Sequence, residues 1–243
     1  MEKSYRILLV EDELFDAELN IREIKKVLPE SKFEVVDKRT AYLHHLENYT
    51  PDIIISDFNL PSFDGLSALK IAKEVCPLTP FIMVTGSINE DTAVECMKAG
   101  ATDYVLKDSL KRLGPSVLNA LEQRKIKEER IEAFETIKLN EARYRYMFHN
   151  NPQPMLIYDI QTLAILEVNE AAVKHYGYSE TEFLGMTIKD MRPQDELKKL
   201  LDDLKTTDFN KLNQTGELKH IKKDGEVIYV EVVSHPVTHH NRK

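Results

Sequence analysis

The sequence predicts a doubly wound α/β domain with a five-stranded parallel sheet of order 2-1-3-4-5, followed by a long helix and a smaller α+β domain. In residues 1–121, short and continuously apolar runs alternate with helical patterns, which is typical of a parallel sheet covered on both faces. Residues 122–142 are dense in charges of both signs and lack glycine and proline, which indicates a long solvated linker helix. Residues 143–243 return to short strands and turn signals, which indicates antiparallel pairing.

Composition limits the functions that the chain can serve. Its 243 residues are 42% hydrophobic and 30% charged, which suffices for buried cores, and no apolar run approaches the length of a membrane span. The formal net charge of −8 argues against general nucleic-acid binding. Two cysteines, Cys76 and Cys96, cannot form a disulfide framework, and no signal-peptide pattern follows Met1. We therefore expect a cytoplasmic protein with neither nucleic acid nor membrane as a partner.

Five apolar runs are predicted as the strands of the first domain. They are Ile7–Val10, Phe33–Val36, Ile53–Ser56, Phe81–Thr85 and Tyr104–Leu106. The first helical pattern runs from Leu14 to Leu28 with apolar spacings of three and four, and it is expected to end at Pro29. A later helix is expected to end at Gly100 in a left-handed cap, and Pro115 is expected at the first position of the last helix.

The second domain carries its own local signals. Met155–Tyr158 and Ile165–Val168 are predicted as two strands joined by a short turn. Ser179 and Glu182 have the spacing of a capping box, in which each side chain bonds a free backbone N–H of the other residue. Asp224-Gly225 lies between two strand-like runs and predicts a tight hairpin turn.

Polar side chains follow four of the predicted parallel strands. Glu11 and Asp12 follow the first strand, Asp57 follows the third, Thr85 ends the fourth and Lys107 ends the fifth. Ligands bind beyond the carboxyl ends of such strands, so these groups are expected to converge. Crowded carboxylates repel one another, and a hard cation such as Mg²⁺ relieves that repulsion. Each residue alone is more often a solvated loop residue, but their joint placement favours a site that also receives an anion.

The first domain resembles a response-regulator receiver domain over residues 4–122. The matching segments are Ile7–Glu13, Asp52–Pro61, Phe63–Leu66, Met83–Gly86 and Lys98–Lys107. The resemblance implies that Asp57 accepts a phosphoryl group from a histidine kinase or a histidine phosphotransfer protein. It also implies that Lys107 pairs with the aspartyl phosphate, that Thr85 bonds a phosphoryl oxygen, and that Tyr104 swings inward as Thr85 moves.

The same resemblance implies a magnesium site and shows one departure from the family. Glu11, Asp12 and Asp57, with the backbone carbonyl of Asn59, are expected to hold Mg²⁺. The family usually has proline after the lysine, in a cis peptide bond, whereas Asp108 follows Lys107 here. A cis bond before a residue other than proline costs about 3 kcal/mol, so we do not expect one.

The second domain resembles a PAS domain. The segments that carry the resemblance are Phe148–Pro152, Val168–Ala172, Tyr176–Ser179, Phe183–Gly185 and Lys222–Gly225. The family fold has five antiparallel strands, and four can be placed, so the last strand is expected to be missing and the chain to be a fragment. The sequence has no Asn-Cys-Arg motif and no histidine in the helical stretch 193–209, so neither haem nor flavin is expected. His175 is predicted to be a surface or packed residue.

These expectations combine into a phosphorelay protein that is not itself an enzyme. The receiver domain would couple through the linker helix to a PAS sensor or dimerisation module, with a homodimer as one possibility. One alternative is an aspartyl-phosphate hydrolase, which wants a second aspartate where Asn59 stands. Two others are a receiver-like scaffold that is never phosphorylated and the amino-terminal part of a hybrid sensor histidine kinase whose kinase domain lies beyond this chain.

Overall fold

A computed structural model describes residues 4–61, 63–86, 90–206 and 213–237. The chain separates into two compact units, Met1–Glu135 and Thr136–Lys243, and each is described by itself. The division falls within one helix, Leu113–His149, which contains the whole of the predicted linker 122–142. The predicted domain limits at residues 121 and 143 stay predictions.

The first unit contains the predicted five-stranded parallel sheet. Its strands are β1 (Arg6–Val10), β2 (Lys32–Val36), β3 (Ile53–Asp57), β4 (Phe81–Thr85) and β5 (Asp103–Leu106). Their order is β2-β1-β3-β4-β5, as the sequence predicts, and every pairing is parallel. β3 and β4 are buried along their whole length, which explains why these strands read as continuous apolar runs.

Within the described residues, α-helices accompany this sheet. They are α1 (Leu14–Lys25), α2 (Arg39–Asn48), α3 (Gly65–Val75), α4 (Glu90–Lys98) and α5 (Leu113–His149). Side chains alternate between the two faces of a strand, so Leu8 packs with Tyr42 of α2 and Leu69 of α3. The neighbouring Leu9 packs in a second cluster with Ile24 of α1 and with the buried start of α5. Both faces of the sheet are therefore covered, as its apolar strands require.

Two predicted helix ends differ from the structure. α1 ends at Lys25 rather than at Pro29, because the chain then tightens into a turn in which the N–H groups of Val27 and Leu28 both donate to the carbonyl of Ile24. α5 begins at Leu113, so Pro115 occupies the third helical position rather than the first. The first N–H groups of a helix have no partner within it, and proline is tolerated there for that reason.

The long helix α5 is anchored to the first unit beyond its buried start. Arg124 Nη1 donates to the backbone carbonyls of Pro51, at 3.2 Å, and Asp52, at 2.7 Å, while its Nε donates to Glu128. Between this point and Phe148 the apolar side chains of the helix are exposed, with Phe134 68% accessible. No helix within the described residues combines the length and the apolar character needed to cross a bilayer.

The second unit is the predicted α+β segment. Strand β6 (Leu156–Tyr158) pairs antiparallel with β7 (Ile165–Val168), and β8 (Asn213–Ile221) pairs antiparallel with β9 (Val227–Ser234). Its helices are α6 (Glu170–Tyr176), α7 (Glu180–Leu184) and α8 (Leu197–Thr206). The capping box of Ser179 and Glu182 is present at the start of α7. Gly225 has φ +88° in the turn between β8 and β9, as the Asp-Gly pair predicts.

One buried side chain organises the start of the second unit. The amide of Asn169 is fully buried and donates to the carbonyls of Phe148 and Gln153. Its oxygen accepts the backbone N–H groups of Met155 and Ala172, the second of which caps α6. Asn169 therefore joins the end of α5, the strand β6 and the helix α6 within this unit.

We expect Gly65→Ala to destabilise the first unit by about 1–3 kcal/mol, because the added carbon overfills a close contact. A Cβ at this position would lie 2.6 Å from the carbonyl oxygen of Asp57 and 2.7 Å from the sulfur of Met83. Urea unfolding measures the effect. Gly86→Ala is the matched control, since no described atom lies within 4 Å of a Cβ there, and equal losses in both variants would contradict the prediction.

Candidate functional site

The structure gathers three carboxylates at the carboxyl edge of the parallel sheet. Glu11 and Asp12 directly follow β1, and Asp57 is the last residue of β3. One oxygen from each of the three lies within 4.8 Å of the others. Glu11 and Asp57 are buried and Asp12 is half-buried. The register explains the convergence, because Val10 of β1 lies opposite Ser56 of β3.

Lys107 brings a positive charge into this acidic cluster. It is the first residue of a short 3-10 helix, Lys107–Arg112, and it follows β5 rather than ending it. Its Nζ donates to Asp57 Oδ2 at 2.7 Å and to Glu11 Oε2 at 3.4 Å. No cis peptide bond occurs in the described residues, so the bond between Lys107 and Asp108 is trans.

A further carboxylate, which the sequence analysis misses, also binds Lys107. Asp16 Oδ2 accepts a hydrogen bond from Nζ at 2.5 Å. Asp16 lies in the first turn of α1, and that helix begins directly after the acids that follow β1. The sequence position of Asp16 could have indicated this contact, because the first turn of α1 begins at the same sheet edge as the acids that follow β1. The apolar stripe of the helix alone does not point to it.

Two ionisable groups of the site have displaced pKa values. Burial, reinforced by the charge of Asp57, raises the pKa of Glu11 to about 7, against an opposing effect of Lys107. Burial alone would lower the pKa of Lys107, but its hydrogen bonds to Asp16 and Asp57 raise it above its ordinary value. Near neutral pH the ammonium is therefore charged, while the Glu11 carboxyl is partly protonated.

The carboxylate of Asp57 is held from two sides. Oδ1 accepts the backbone N–H of Asn59 at 3.2 Å, and Oδ2 accepts from Lys107. The close approach of Gly65 to the Asp57 carbonyl keeps the following loop near the end of β3, where the N–H of Gly65 donates to the carbonyl of Phe58. The site is thus preorganised by backbone contacts as well as by charge.

The remaining predicted residues lie on the neighbouring strands. Thr85 is the last residue of β4 and is 9% exposed, one position beyond the residue paired with Asp57. Tyr104 lies within β5, opposite Met83, and is half-buried against the apolar cluster that contains Leu8. Thr85 therefore lies at the same edge as the acids, and the inward movement of Tyr104 stays a prediction.

The second unit contains a buried polar pair that the sequence analysis does not single out. His220 on β8 is 7% exposed, and its Nδ1 lies 2.7 Å from the hydroxyl oxygen of Tyr176. Burial lowers the pKa of His220 to about 4, so the ring is neutral at physiological pH. The alternation of buried Leu218 and His220 along β8 is the signal that could have found it. His175, in contrast, is exposed.

Comparisons with known proteins assign both parts of the chain. A family model described as the response regulator receiver domain matches residues 7–117, and the PAS fold matches residues 142–243. Chemotaxis protein CheY of Bacillus subtilis is 30% identical over 107 residues, which make up 43% of this chain and 86% of that protein.

Two longer proteins also match part of this chain. Regulatory protein AtoC of Escherichia coli is 31% identical over 144 residues, 59% of this chain, yet the chain spans only 30% of that relative's length. A crystal structure of NtrX from Brucella abortus superposes with a TM-score of 0.50 and 26% identity, covering 54% of this chain and 30% of that chain. The fold, the clustered acids and these relatives agree. The chain belongs to the response-regulator receiver family, and a PAS domain follows its receiver domain.

Proposed function

We propose that Asp57 accepts a phosphoryl group from the phosphohistidine of a histidine kinase or a histidine phosphotransfer protein. Receiver domains serve phosphorelay signalling and generally interact with such partners. One observation carries the proposal: the Asp57 carboxylate lies in an acidic cluster at the sheet edge, where it accepts hydrogen bonds from the backbone of Asn59 and from Lys107.

The acidic cluster fits a magnesium ion. Glu11, Asp12 and Asp57 offer oxygen ligands from three side chains within 4.8 Å of one another, and hard oxygen donors are what Mg²⁺ prefers. With the backbone carbonyl of Asn59, these residues would hold the ion. When bound, Mg²⁺ supplies positive charge that lets an anionic phosphoryl group approach an anionic carboxylate.

The residues of the chain account for the remainder of the transfer. A carboxylate oxygen of Asp57 forms the new bond to phosphorus, the bond from phosphorus to the partner's imidazole nitrogen breaks, and the imidazole leaves with the electron pair. The Lys107 ammonium, already 2.7 Å from Asp57, neutralises part of the charge that arrives. We propose that the hydroxyl of Thr85 donates a hydrogen bond to a phosphoryl oxygen. We further propose that the ring of Tyr104 moves inward when Thr85 moves.

We further infer that the chain is a phosphoacceptor signalling protein rather than an enzyme. In an aspartyl-phosphate hydrolase the position of Asn59 would carry an acid, and an amide cannot donate a proton in that role. A scaffold that is never phosphorylated would not need Lys107 paired to a buried Asp57 beside two more acids. A hybrid sensor kinase remains compatible with these residues, because its receiver would use the same site.

We propose that the effect of phosphorylation at Asp57 is transmitted along α5 to the PAS domain. Arg124 ties the helix to the loop that leads into β3, the strand that ends at Asp57. We infer that the PAS domain relays the signal or dimerises, together with the helix, without haem or flavin, and that the protein acts in the cytoplasm.

Incubation with MgCl₂ and acetyl phosphate should add one phosphoryl group to the wild-type protein and none to Asp57→Asn. The amide has the shape of the carboxylate but lacks its nucleophilic oxygen. Intact-protein mass spectrometry gives the result directly. Asp108→Asn, an exposed aspartate beside Lys107, is the control and should be labelled like the wild type. Labelling of Asp57→Asn at the wild-type level would end the assignment.

In the metal-free protein, Glu11→Gln should increase the stability of the receiver domain at pH 8 by about 1–3 kcal/mol. The pKa of Glu11 is about 7 in the folded state and ordinary in the unfolded state. Between about pH 4.5 and 7 the folded state therefore binds more protons, so wild-type stability falls as the pH rises through this range. The advantage of the variant should disappear near pH 4.5.

Urea unfolding in EDTA, at pH 5 and pH 8, measures this difference. Glu18→Gln, an exposed position on α1, is the control and should show no such pH dependence. Adding MgCl₂ at pH 8 should stabilise the wild type more than Glu11→Gln, since the variant lacks one charged ligand. A variant that is no more stable than the wild type at pH 8 would show that burial and the charge of Asp57 do not destabilise the Glu11 carboxylate.

A further inference from the structure

We propose that Asp16 is a positioning residue for Lys107, which it holds beside Asp57 so that the ammonium is in place when a phosphoryl group arrives. The inference rests on the proposed function of Asp57 and assigns a role to a residue outside the acid motif. It follows from three observations: the contacts of Lys107, the exclusion of Asp16 from the acidic cluster, and the number of hydrogen bonds that an ammonium can make.

The contacts of Lys107 come from three different elements. Its Nζ lies 2.5 Å from Asp16 Oδ2 on α1, 2.7 Å from Asp57 Oδ2 on β3 and 3.4 Å from Glu11 Oε2 after β1. Asp16 is the nearest of the three partners. The lysine side chain is 24% exposed and that of Asp16 is 29% exposed, so this contact is more open to solvent than the side chains of Glu11 and Asp57, which are 1% and 8% exposed.

Asp16 touches the cation of the site but lies outside its carboxylate cluster. The oxygens that lie within 4.8 Å of one another belong to Glu11, Asp12 and Asp57. Asp16 is therefore placed to act on Lys107, the group that it shares with Asp57. This separates it from the residues that we assign to the metal.

The number of N–H donors on Lys107 indicates what Asp16 does. A lysine ammonium has three N–H donors, and three carboxylates accept from Lys107 here. When Asp57 is phosphorylated, the donor that serves its Oδ2 has to turn to a phosphoryl oxygen. The bond to Asp16 does not need to change in this step. Because a lysine side chain has many rotamers, a contact that persists through the step keeps Nζ near the reacting oxygen.

If Asp16 had a purely structural role, the effect of replacing it would not depend on Lys107. Asp16 lies in the first turn of α1, where a carboxylate also interacts favourably with the positive end of the helix dipole. That effect would stabilise α1 whether or not Lys107 is present. A positioning role, in contrast, disappears when Lys107 is removed.

The test is a double-mutant cycle on the initial rate of labelling by acetyl phosphate at saturating MgCl₂. Asp16→Ala should lower the rate about fivefold, the order expected for a charged contact at a partly exposed position. Asp16→Asn keeps an oxygen acceptor and should recover most of the rate. In the Lys107→Ala background, Asp16→Ala should cause no further loss. Glu18→Ala, an exposed acid on the same helix, should behave like the wild type.

A second measurement keeps the inference testable if the Lys107→Ala protein is labelled too slowly. Nuclear magnetic resonance of the Lys107 ammonium should show increased mobility in Asp16→Ala and none in Glu18→Ala. Unchanged mobility and rate in Asp16→Ala would overturn the inference, as would losses that multiply in the double mutant. If the wild type itself is not labelled, the proposed function fails as well, whereas labelling without dependence on Asp16 ends this inference alone.

Discussion

The ion pairs of Lys107 are the interaction on which the rest of the receiver site depends. Parallel strands bring Glu11, Asp12 and Asp57 to one edge with oxygens within 4.8 Å of one another. Two unit charges at such a distance repel by about 4 kcal/mol at the effective dielectric constant of a protein surface. The fold can tolerate this because Lys107 shares its ammonium among the carboxylates and because Glu11 holds its proton up to about pH 7. Both adjustments reduce the repulsion among the three carboxylates.

The parts of the fold that the sequence predicts are those set by local patterns along the chain. Five apolar runs, a strand order that makes β1 and β3 neighbours, and acids at the carboxyl ends of these two strands were enough to place Asp57 beside Glu11. The hairpin at Gly225 and the capping box at Ser179 were predictable for the same reason, since each depends on a few consecutive residues.

The features that the sequence analysis missed depend on packing between elements that are distant in the chain. Asp16 reaches Lys107 across 91 residues, and its side chain direction depends on how α1 lies on the sheet. His220 meets Tyr176 across 44 residues, because β8 covers the end of α6. The predicted end of α1 at Pro29 and the predicted place of Pro115 at the first position of α5 were wrong for a simpler reason. Proline limits how far a helix can extend, but it does not fix where the helix begins or ends.

The helix α5 is stabilised unevenly along its length. Near its start, Val117 and Leu121 are buried, and near its end Phe148 is 5% exposed. Between them the side chains are exposed and are joined by pairs such as Lys125 with Glu129, at 3.6 Å, which contribute about 0.3–0.5 kcal/mol each. The two ends are therefore held by burial, whereas the middle is held by weak local contacts. The middle of the helix is therefore the part that packing stabilises least, and local opening of the helix costs the least free energy there.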